Sequence, residues 1–446
     1  MCVDFYSHTM DISAYVLSNE ETSSKGGILL KGLNRTTRQP VHITMLVDTS
    51  GSMEDNGKLE SVKKSLRFML SLLSSDDRLS LITFDNDATL ILNKVIPDAA
   101  NLDATLYKID MLRVNGSTNM SAGLLEARSI METSTTQRKQ GIVLLTDGHA
   151  NIGSITPDAL VNIIRRILHE NDGGVSISTT GYGSDHNADL LMQMAQEGGG
   201  AYNVVSNLED VATTFGDILG GLISVSAQRV QLKFPTAYTV RTSYPTQKTD
   251  SGEIIVTVGD VYAETEIAIL FDIAGSPQEV GILGTNMMTL NPVDTVVVPQ
   301  MVAVDAYPLA FTVGELKMEV SNMLKAVRSL TATVSMIDAL RDKIVNIVHP
   351  IIPFLLADLD QAKLIVRRGR MTQEDAVDLT QHSAYIGTSR GMRSMTSPQR
   401  HARFSNDNEN ENDPVAPRAI LSPTANAAQR SMTGAMRSFT GGVQQV

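Results

Sequence analysis

The chain has 446 residues, more than one hydrophobic core usually serves, so at least two folded units are expected. Its formal net charge of -12 argues against a large nucleic-acid-binding surface, because such surfaces need clustered Lys and Arg to neutralise phosphates. The single cysteine, Cys2, excludes an intrachain disulfide and any Cys-rich zinc module, and is typical of a reducing compartment.

Strands and helices alternate through the first half of the chain. Residues 41–48 (VHITMLVD) form a nearly continuous apolar run, typical of a strand buried on both faces of a parallel sheet. Residues 58–73 place Leu, Val and Met at three- and four-residue steps, which predicts an amphipathic helix. Further strands are predicted at 78–84, 88–95, 141–147, 175–181 and 201–205, and helices at 102–112, 120–132, 157–169, 189–197 and 208–223. The alternation predicts a doubly wound, mostly parallel α/β sheet.

After Ser224 the pattern changes to short alternating segments separated by Pro, Gly and Ser, which predicts a small antiparallel β-sandwich as a second domain. These segments lie at 229–234, 239–242, 253–258 and 264–272. Two earlier strand-like runs, at 12–17 and 27–33, have no place in the doubly wound sheet. Because an unpaired strand would expose its backbone donors, we expect them to pair with the sandwich, so that the α/β domain is inserted into the second domain.

Helical spacing returns at 314–330, 336–348 and 373–382 and predicts a small helical region. From about Met392 the chain is rich in Ser, Asn, Gln, Arg and Pro, a composition that predicts a disordered tail. The predicted units are an N-terminal segment at 1–39, the α/β domain at 40–224, the sandwich at 225–313, the helical region at 314–390 and the tail at 391–446.

Neither a secretion signal nor a membrane span is predicted. No basic-then-apolar pattern precedes Asp4. The most apolar late stretch, at 344–359, is interrupted by Asn346, His349, Pro350 and Pro353. We therefore expect a cytoplasmic, intracellular protein.

Three polar clusters stand at predicted strand ends or before a helix, where ligands bind in open α/β sheets. They are 48–52 (DTSGS), 116–119 (GSTN) and 146–148 (TDG). Their carboxylates and hydroxyls are hard oxygen donors that suit Mg²⁺ or Mn²⁺, and they lack the His and thiolate groups that favour zinc. Mg²⁺ retains waters where few protein charges bind it. One coordination position is therefore open to an incoming carboxylate from a partner.

At these residues the sequence resembles the von Willebrand factor A-type domain, whose metal-ion-dependent adhesion site follows Asp-x-Ser-x-Ser, then a distant Thr and a distant Asp. Asp48, Ser50 and Ser52 match the first segment, Thr118 the second and Asp147 the third. The resemblance implies that the three hydroxyl residues contact metal directly in some state. It implies that the two carboxylates act directly or through water.

The resemblance covers about residues 40–223, and 181–186 (GYGSDH) and 198–200 (GGG) also look like this family. The later region resembles the segment that follows this domain in intracellular proteins such as plant ubiquitin ligases of the RING type. Those proteins carry a Cys-rich zinc module, which a chain with Cys2 alone cannot build. Ligase activity is therefore not carried over.

The predicted function is a non-enzymatic adaptor that captures an acidic side chain of a partner protein at a divalent cation. One alternative is an assembly component in which the metal only rigidifies loops. Another is a Mg²⁺-dependent phosphoryl-transfer enzyme with Asp48 as nucleophile. Such an enzyme requires a second Asp two positions further on as acid and base, and this chain has Ser50 there. The partner and the oligomeric state do not follow from the sequence.

Three further polar residues lie near these clusters. His149 and Asn151, just past Asp147, either line the ligand face or belong to an ordinary turn. Asp185 is predicted to cap the helix that begins near Asn187.

Overall fold

The computed structural model describes residues 10–17, 24–33, 39–132, 138–147, 149–171, 174–183, 185–205, 208–287, 291–303 and 306–388. Cys2, Gly148 and the predicted tail at 391–446 lie outside the described residues.

Sixteen strands and ten α-helices are assigned in the described part of the chain. The strands are β1 (Met10–Leu17), β2 (Ser24–Gly32), β3 (Val41–Asp48), β4 (Arg78–Phe84), β5 (Ala88–Val95), β6 (Lys139–Thr146), β7 (Val175–Tyr182), β8 (Gly199–Val205), β9 (Val225–Phe234), β10 (Tyr238–Arg241), β11 (Thr246–Lys248), β12 (Ile254–Tyr262), β13 (Glu266–Ile273), β14 (Val280–Asn286), β15 (Pro292–Val297) and β16 (Gln300–Val302). The helices are α1 (Lys58–Leu72), α2 (Leu102–Asp110), α3 (Met120–Ile130), α4 (Pro157–Glu170), α5 (Ala188–Glu197), α6 (Leu208–Ile223), α7 (Leu309–Arg328), α8 (Val334–Ile344), α9 (Ile352–Arg368) and α10 (Gln373–Thr388).

A six-stranded sheet in the order β5-β4-β3-β6-β7-β8 carries the first unit. Its pairs are parallel, apart from edge strand β5, which runs antiparallel to β4. Every residue of β3 is buried, as its continuous apolar run predicted. Helices α1, α2 and α6 pack on one face of the sheet, and α3, α4 and α5 pack on the other. The predicted doubly wound sheet is confirmed.

The second unit consists of two five-stranded sheets, in the orders β10-β13-β2-β1-β16 and β11-β12-β9-β14-β15, with a shared apolar core. Strand β2 pairs antiparallel with β13, from Ser24 opposite Ile273 to Lys31 opposite Glu266. Strand β1 pairs with β2, and it also pairs with β16 in parallel, so the sandwich is not purely antiparallel. Chain from before and after the six-stranded sheet thus meets in one sheet.

A buried ion pair joins the two units, and the two chain segments that flank the first unit contact each other. The hydroxyl of Ser226, on β9, donates to the carbonyl of Leu33, directly after β2, at 2.8 Å. The ammonium of Lys139, at the start of β6, lies 2.8 Å from the carboxylate of Asp260 on β12, and both side chains are buried. The boundaries drawn from the sequence between the units stay a prediction.

Four helices, α7 to α10, form a third apolar core, and α10 also packs against α5. Arg328 on α7 contacts Asp189 on α5 at 2.5 Å and donates to Thr380 on α10 at 2.7 Å, which fixes the helices to the α/β unit. Helix α7 begins at Leu309, five residues before the predicted start. Within the described ranges, no helix is long and apolar enough to cross a membrane.

Helix α9 was not predicted, and Pro350 and Pro353 were noted only as interruptions of a membrane span. In the structure Pro353 lies in the first turn of α9. There the missing N–H removes no intrahelical hydrogen bond, and the fixed φ of proline suits a helix start. Strands β11, β14, β15 and β16 were also not predicted.

Candidate metal site

Asp48 ends the central strand β3 and is fully buried. Its Oδ1 accepts the backbone N–H of Ser50 at 2.9 Å, and its Oδ2 accepts the hydroxyl of Thr146 at 2.5 Å. Burial raises the pKa of the Asp48 carboxyl to about 6; the hydrogen bonds from Ser50 and Thr146 oppose this shift, and the charge of Asp147 adds to it. A cation placed beside this carboxyl would stabilise its charged form.

Ser50 and Ser52 follow Asp48 at the start of a 3₁₀ turn over Gly51–Gly57. Their hydroxyl oxygens lie 3.3 Å apart, Ser50 is buried and Ser52 is half-buried. The backbone N–H of Gly51 donates to the carbonyl of Gly116 at 3.1 Å. This bond joins the serine loop to the loop that carries the predicted threonine.

Thr118 is buried, and Asn151 holds its backbone from both sides. The N–H of Thr118 donates to the side-chain oxygen of Asn151 at 2.8 Å, and the N–H of Asn151 donates to the carbonyl of Thr118 at 3.1 Å. Asn151 thus holds the loop that carries Thr118, and whether it also lines the ligand face stays a prediction.

Asp147 follows β6 and is fully buried. Its Oδ2 lies 3.3 Å from the ammonium of Lys58. Its Oδ1 has no hydrogen-bond partner within the described part of the chain. Buried carboxylate oxygens normally have a partner, so this atom fits contact with a cation or with a water bound to one.

Lys58 begins helix α1, and its side chain is only 4% exposed. Its ammonium also lies 3.0 Å from the carboxylate of Asp185. Burial disfavours the charge, but the hydrogen bond and charge of Asp185 and the charge of Asp147 outweigh it, so the pKa of Lys58 is raised. Lys58 therefore stays positively charged beside a candidate metal residue.

Lys58 was not predicted from the sequence, and Asp185 was given a role that it does not have. The side chain that caps α5 is Asn187, which accepts the N–H of Leu190 at 3.2 Å, so the capping role given to Asp185 was wrong. No local pattern marked Lys58, which has the spacing of an ordinary helix residue. The ring nitrogen Nε2 of His149 lies 2.6 Å from the carbonyl oxygen of Asp185, so His149 supports that loop.

The donor set fits a small hard cation. It has hydroxyls and two carboxylates, and the described ranges contain no group of three or more His, Cys, Asp and Glu side chains that could bind a metal. A site with few charged ligands and several retained waters suits Mg²⁺ or Mn²⁺. Zinc favours His and thiolate ligands, and Ca²⁺ favours a cage of several carboxylates.

Comparison with known proteins gives the class of this domain. Residues 42–218 match the sequence profile of the von Willebrand factor type A domain. The chain thus contains a von Willebrand factor type A domain, which confirms the resemblance found in the sequence. Domains of this family commonly mediate protein interactions and commonly bind a divalent metal.

Among particular proteins, the chain is 25% identical over 285 residues to YfbK of Escherichia coli, a match that covers 59% of this chain and 47% of YfbK. It is 26% identical over 278 residues to the E3 ubiquitin-protein ligase WAV3 of Arabidopsis thaliana, covering 59% of this chain and 35% of WAV3. The chain thus spans less than half the length of either relative.

A solved structure, the von Willebrand factor type A protein from Catenulispora acidiphila, is similar with a TM-score of 0.61 and 16% identity. The match covers 84% of this chain and 96% of that one. The shared fold therefore extends beyond the six-stranded sheet.

Proposed function

We propose that this chain binds a partner protein through a divalent cation, Mg²⁺ or Mn²⁺, held by Asp48, Ser50, Ser52, Thr118 and Asp147. The observation that carries the proposal is the buried Oδ1 of Asp147, which has no protein partner among the described residues and belongs to a carboxylate that raises the pKa of Asp48. Asp48 and Asp147 are both buried, and the charge of Asp147 disfavours the charged form of Asp48, so a cation beside them would be stabilising.

Each residue has a distinct part in this proposal. Asp48 and Asp147 supply negative charge, and Ser50, Ser52 and Thr118 supply neutral oxygens. The bound cation supplies a positive centre that attracts a carboxylate of the partner. Asn151 keeps Thr118 in place through its two backbone hydrogen bonds.

The environment of Asp48 argues against the enzyme alternative. A phosphoryl-accepting nucleophile needs an accessible oxygen, whereas Asp48 is fully buried and both its oxygens accept hydrogen bonds. Residue 50 is a serine, so the second carboxylate that would serve as acid and base is missing from that position.

The test compares wild type with Asp48→Ala, and with Asp103→Ala as a control that removes an exposed carboxylate from α2 of the same domain. Calorimetric titration with MgCl₂ and with MnCl₂ should show binding by wild type and Asp103→Ala and none by Asp48→Ala. Affinity capture from a lysate of the source cells, with Mg²⁺ or with EDTA, should recover a set of proteins that is lost with EDTA and with Asp48→Ala.

Capture that persists in EDTA, together with normal metal binding, would favour the assembly alternative, in which the metal only rigidifies loops. Absence of metal binding by the wild-type chain would show that the proposal is wrong. Asp48→Ala should still unfold cooperatively, because the core of β3 and α1 is apolar and independent of the carboxyl.

A further inference from the structure

The ammonium of Lys58 is an unexpected neighbour for a cation site. It lies 3.3 Å from Asp147 and 3.0 Å from Asp185, and its side chain is 4% exposed. Placing a lysine here stabilises Asp147 without metal but sets a positive charge next to the place proposed for the cation. Lys58 and the cation therefore compete for the same carboxylate.

The local backbone is arranged to hold this lysine. Gly57, directly before it, has a left-handed conformation with φ of 67°. Gly183 also has a positive φ, 77°, and a Cβ added there would lie 2.6 Å from Oδ1 of Asp185 and 3.3 Å from Cε of Lys58. A side chain at position 183 would thus displace the Lys58–Asp185 pair.

Asp185 offers the ammonium a second partner outside the candidate metal residues. Its carboxylate is more than half exposed, whereas that of Asp147 is fully buried. The loop that carries Asp185 is fixed by the contact between His149 and the Asp185 carbonyl. Lys58 can therefore keep its ion pair with Asp185 when a cation binds the carboxylate of Asp147.

We propose that the Lys58 ammonium competes with the cation for Asp147 and so weakens cation binding. Asp185 limits this competition because it offers the ammonium a second carboxylate to pair with. The inference rests on the proposed metal site and adds a regulation of it. A carboxylate from a partner, bound at the cation, adds negative charge there and offsets the repulsion between the cation and the Lys58 ammonium. Cation and partner should therefore bind cooperatively, each raising the affinity of the other by the same factor.

The test measures metal affinity of the full chain without a partner, by calorimetry with MgCl₂ and by electron paramagnetic resonance with Mn²⁺. Lys58→Met, which keeps most of the aliphatic stem, should tighten binding by about tenfold, because charges a few ångström apart interact strongly where water is excluded. Asp185→Asn should weaken binding by about threefold or more, since Lys58 then pairs with Asp147 alone. The double variant should bind like Lys58→Met, because Asp185 acts only through the lysine.

The matched control is Lys63→Met on the same helix, which removes an ammonium that is 9% exposed and paired with Glu60 at 2.7 Å. It should leave metal affinity unchanged. Thermal unfolding in EDTA establishes that each variant is folded. Weaker binding by Lys58→Met would overturn the proposal and make the lysine a purely supporting residue, as would a double variant that binds like Asp185→Asn.

The outcomes separate this inference from the proposed function. If Asp48→Ala loses the metal and Lys58→Met does not bind it more tightly, the metal site stands and the competition is wrong. If wild type binds no metal but Lys58→Met does, the competition stands in its strongest form, and the function proposed for the wild-type chain is wrong. If neither binds metal, both are wrong.

Discussion

Replacing Lys139 by Met tests how the two units are held together. The Lys139 ammonium, fully buried, lies 2.8 Å from the Asp260 carboxylate, whose side chain is 7% exposed. Apart from this ion pair, neither of the two facing atoms has a polar partner in the described residues, so each charge depends on the other. Removing the lysine leaves a buried, unpaired carboxylate and should cost about 3–5 kcal/mol of unfolding free energy. That is a large share of the roughly 5–15 kcal/mol typical of a folded domain.

The assay is urea unfolding followed by circular dichroism for wild type, Lys139→Met, Asp260→Leu and the double variant, in EDTA so that metal binding does not contribute. The double variant should recover most of the loss, because an apolar pair of similar volume replaces a buried ion pair at little cost. As a control, Arg165→Met breaks the exposed pair with Glu197, 2.9 Å apart, and should cost about 1 kcal/mol or less. A loss below about 1 kcal/mol for Lys139→Met, or strict additivity in the double variant, would refute the reasoning.

Three further predictions concern the α/β unit. Burial lowers the pKa of His42 from 6.5 to about 4, so the unfolded chain binds the proton more tightly and stability falls as the pH drops through that interval. Urea unfolding at about pH 7.5 and about pH 5 should show that wild type loses about 2 kcal/mol more than His42→Gln, and equal losses would contradict this. Asn151→Ala should weaken Mg²⁺ binding about tenfold in calorimetry by releasing Thr118, while unchanged affinity would show that Asn151 does not position it. Gly183→Ala should lower the unfolding free energy by about 1 kcal/mol or more, because φ is 77° and the new Cβ would lie 2.6 Å from Oδ1 of Asp185; a variant as stable as wild type would count against that steric reading.

The sequence predicted the α/β unit because its signals are local. A strand buried on both faces appears in the sequence as an unbroken apolar run, as in β3. A helix packed on the sheet appears as apolar residues at three- and four-residue steps, as in α1. The Asp-x-Ser-x-Ser pattern lies within five residues of the end of β3, so its position follows from the strand. Whether these residues bind metal stays a prediction.

Lys58 could not be found in this way, because its partners are distant in sequence. Asp147 and Asp185 are 89 and 127 residues further along the chain, and only the packing of α1 beside β6 and β7 brings them to the ammonium. The strands missed in the sandwich had a similar cause. Strand β14 contains two glycines, and the three exposed residues of β11 are held by pairing with β12 rather than by their own propensity.

The pairing of β2 with β13 has a consequence for biosynthesis. The two strands are separated by on the order of two hundred residues, so during translation β2 emerges well before its partner and waits for about 10–50 s with its hydrogen-bonding edge open. Folding of the intervening domain in that interval would bring the flanking chain segments together, at the place where Ser226 contacts the carbonyl of Leu33 in the folded protein. Once it has folded, the domain replaces a flexible loop of that length by a span of a few residues. This lowers the entropic cost of closing the sheet by about 3 kcal/mol. The α/β domain would thus act as a folding template for the sandwich, and slowing its folding should promote aggregation through the waiting strand edge.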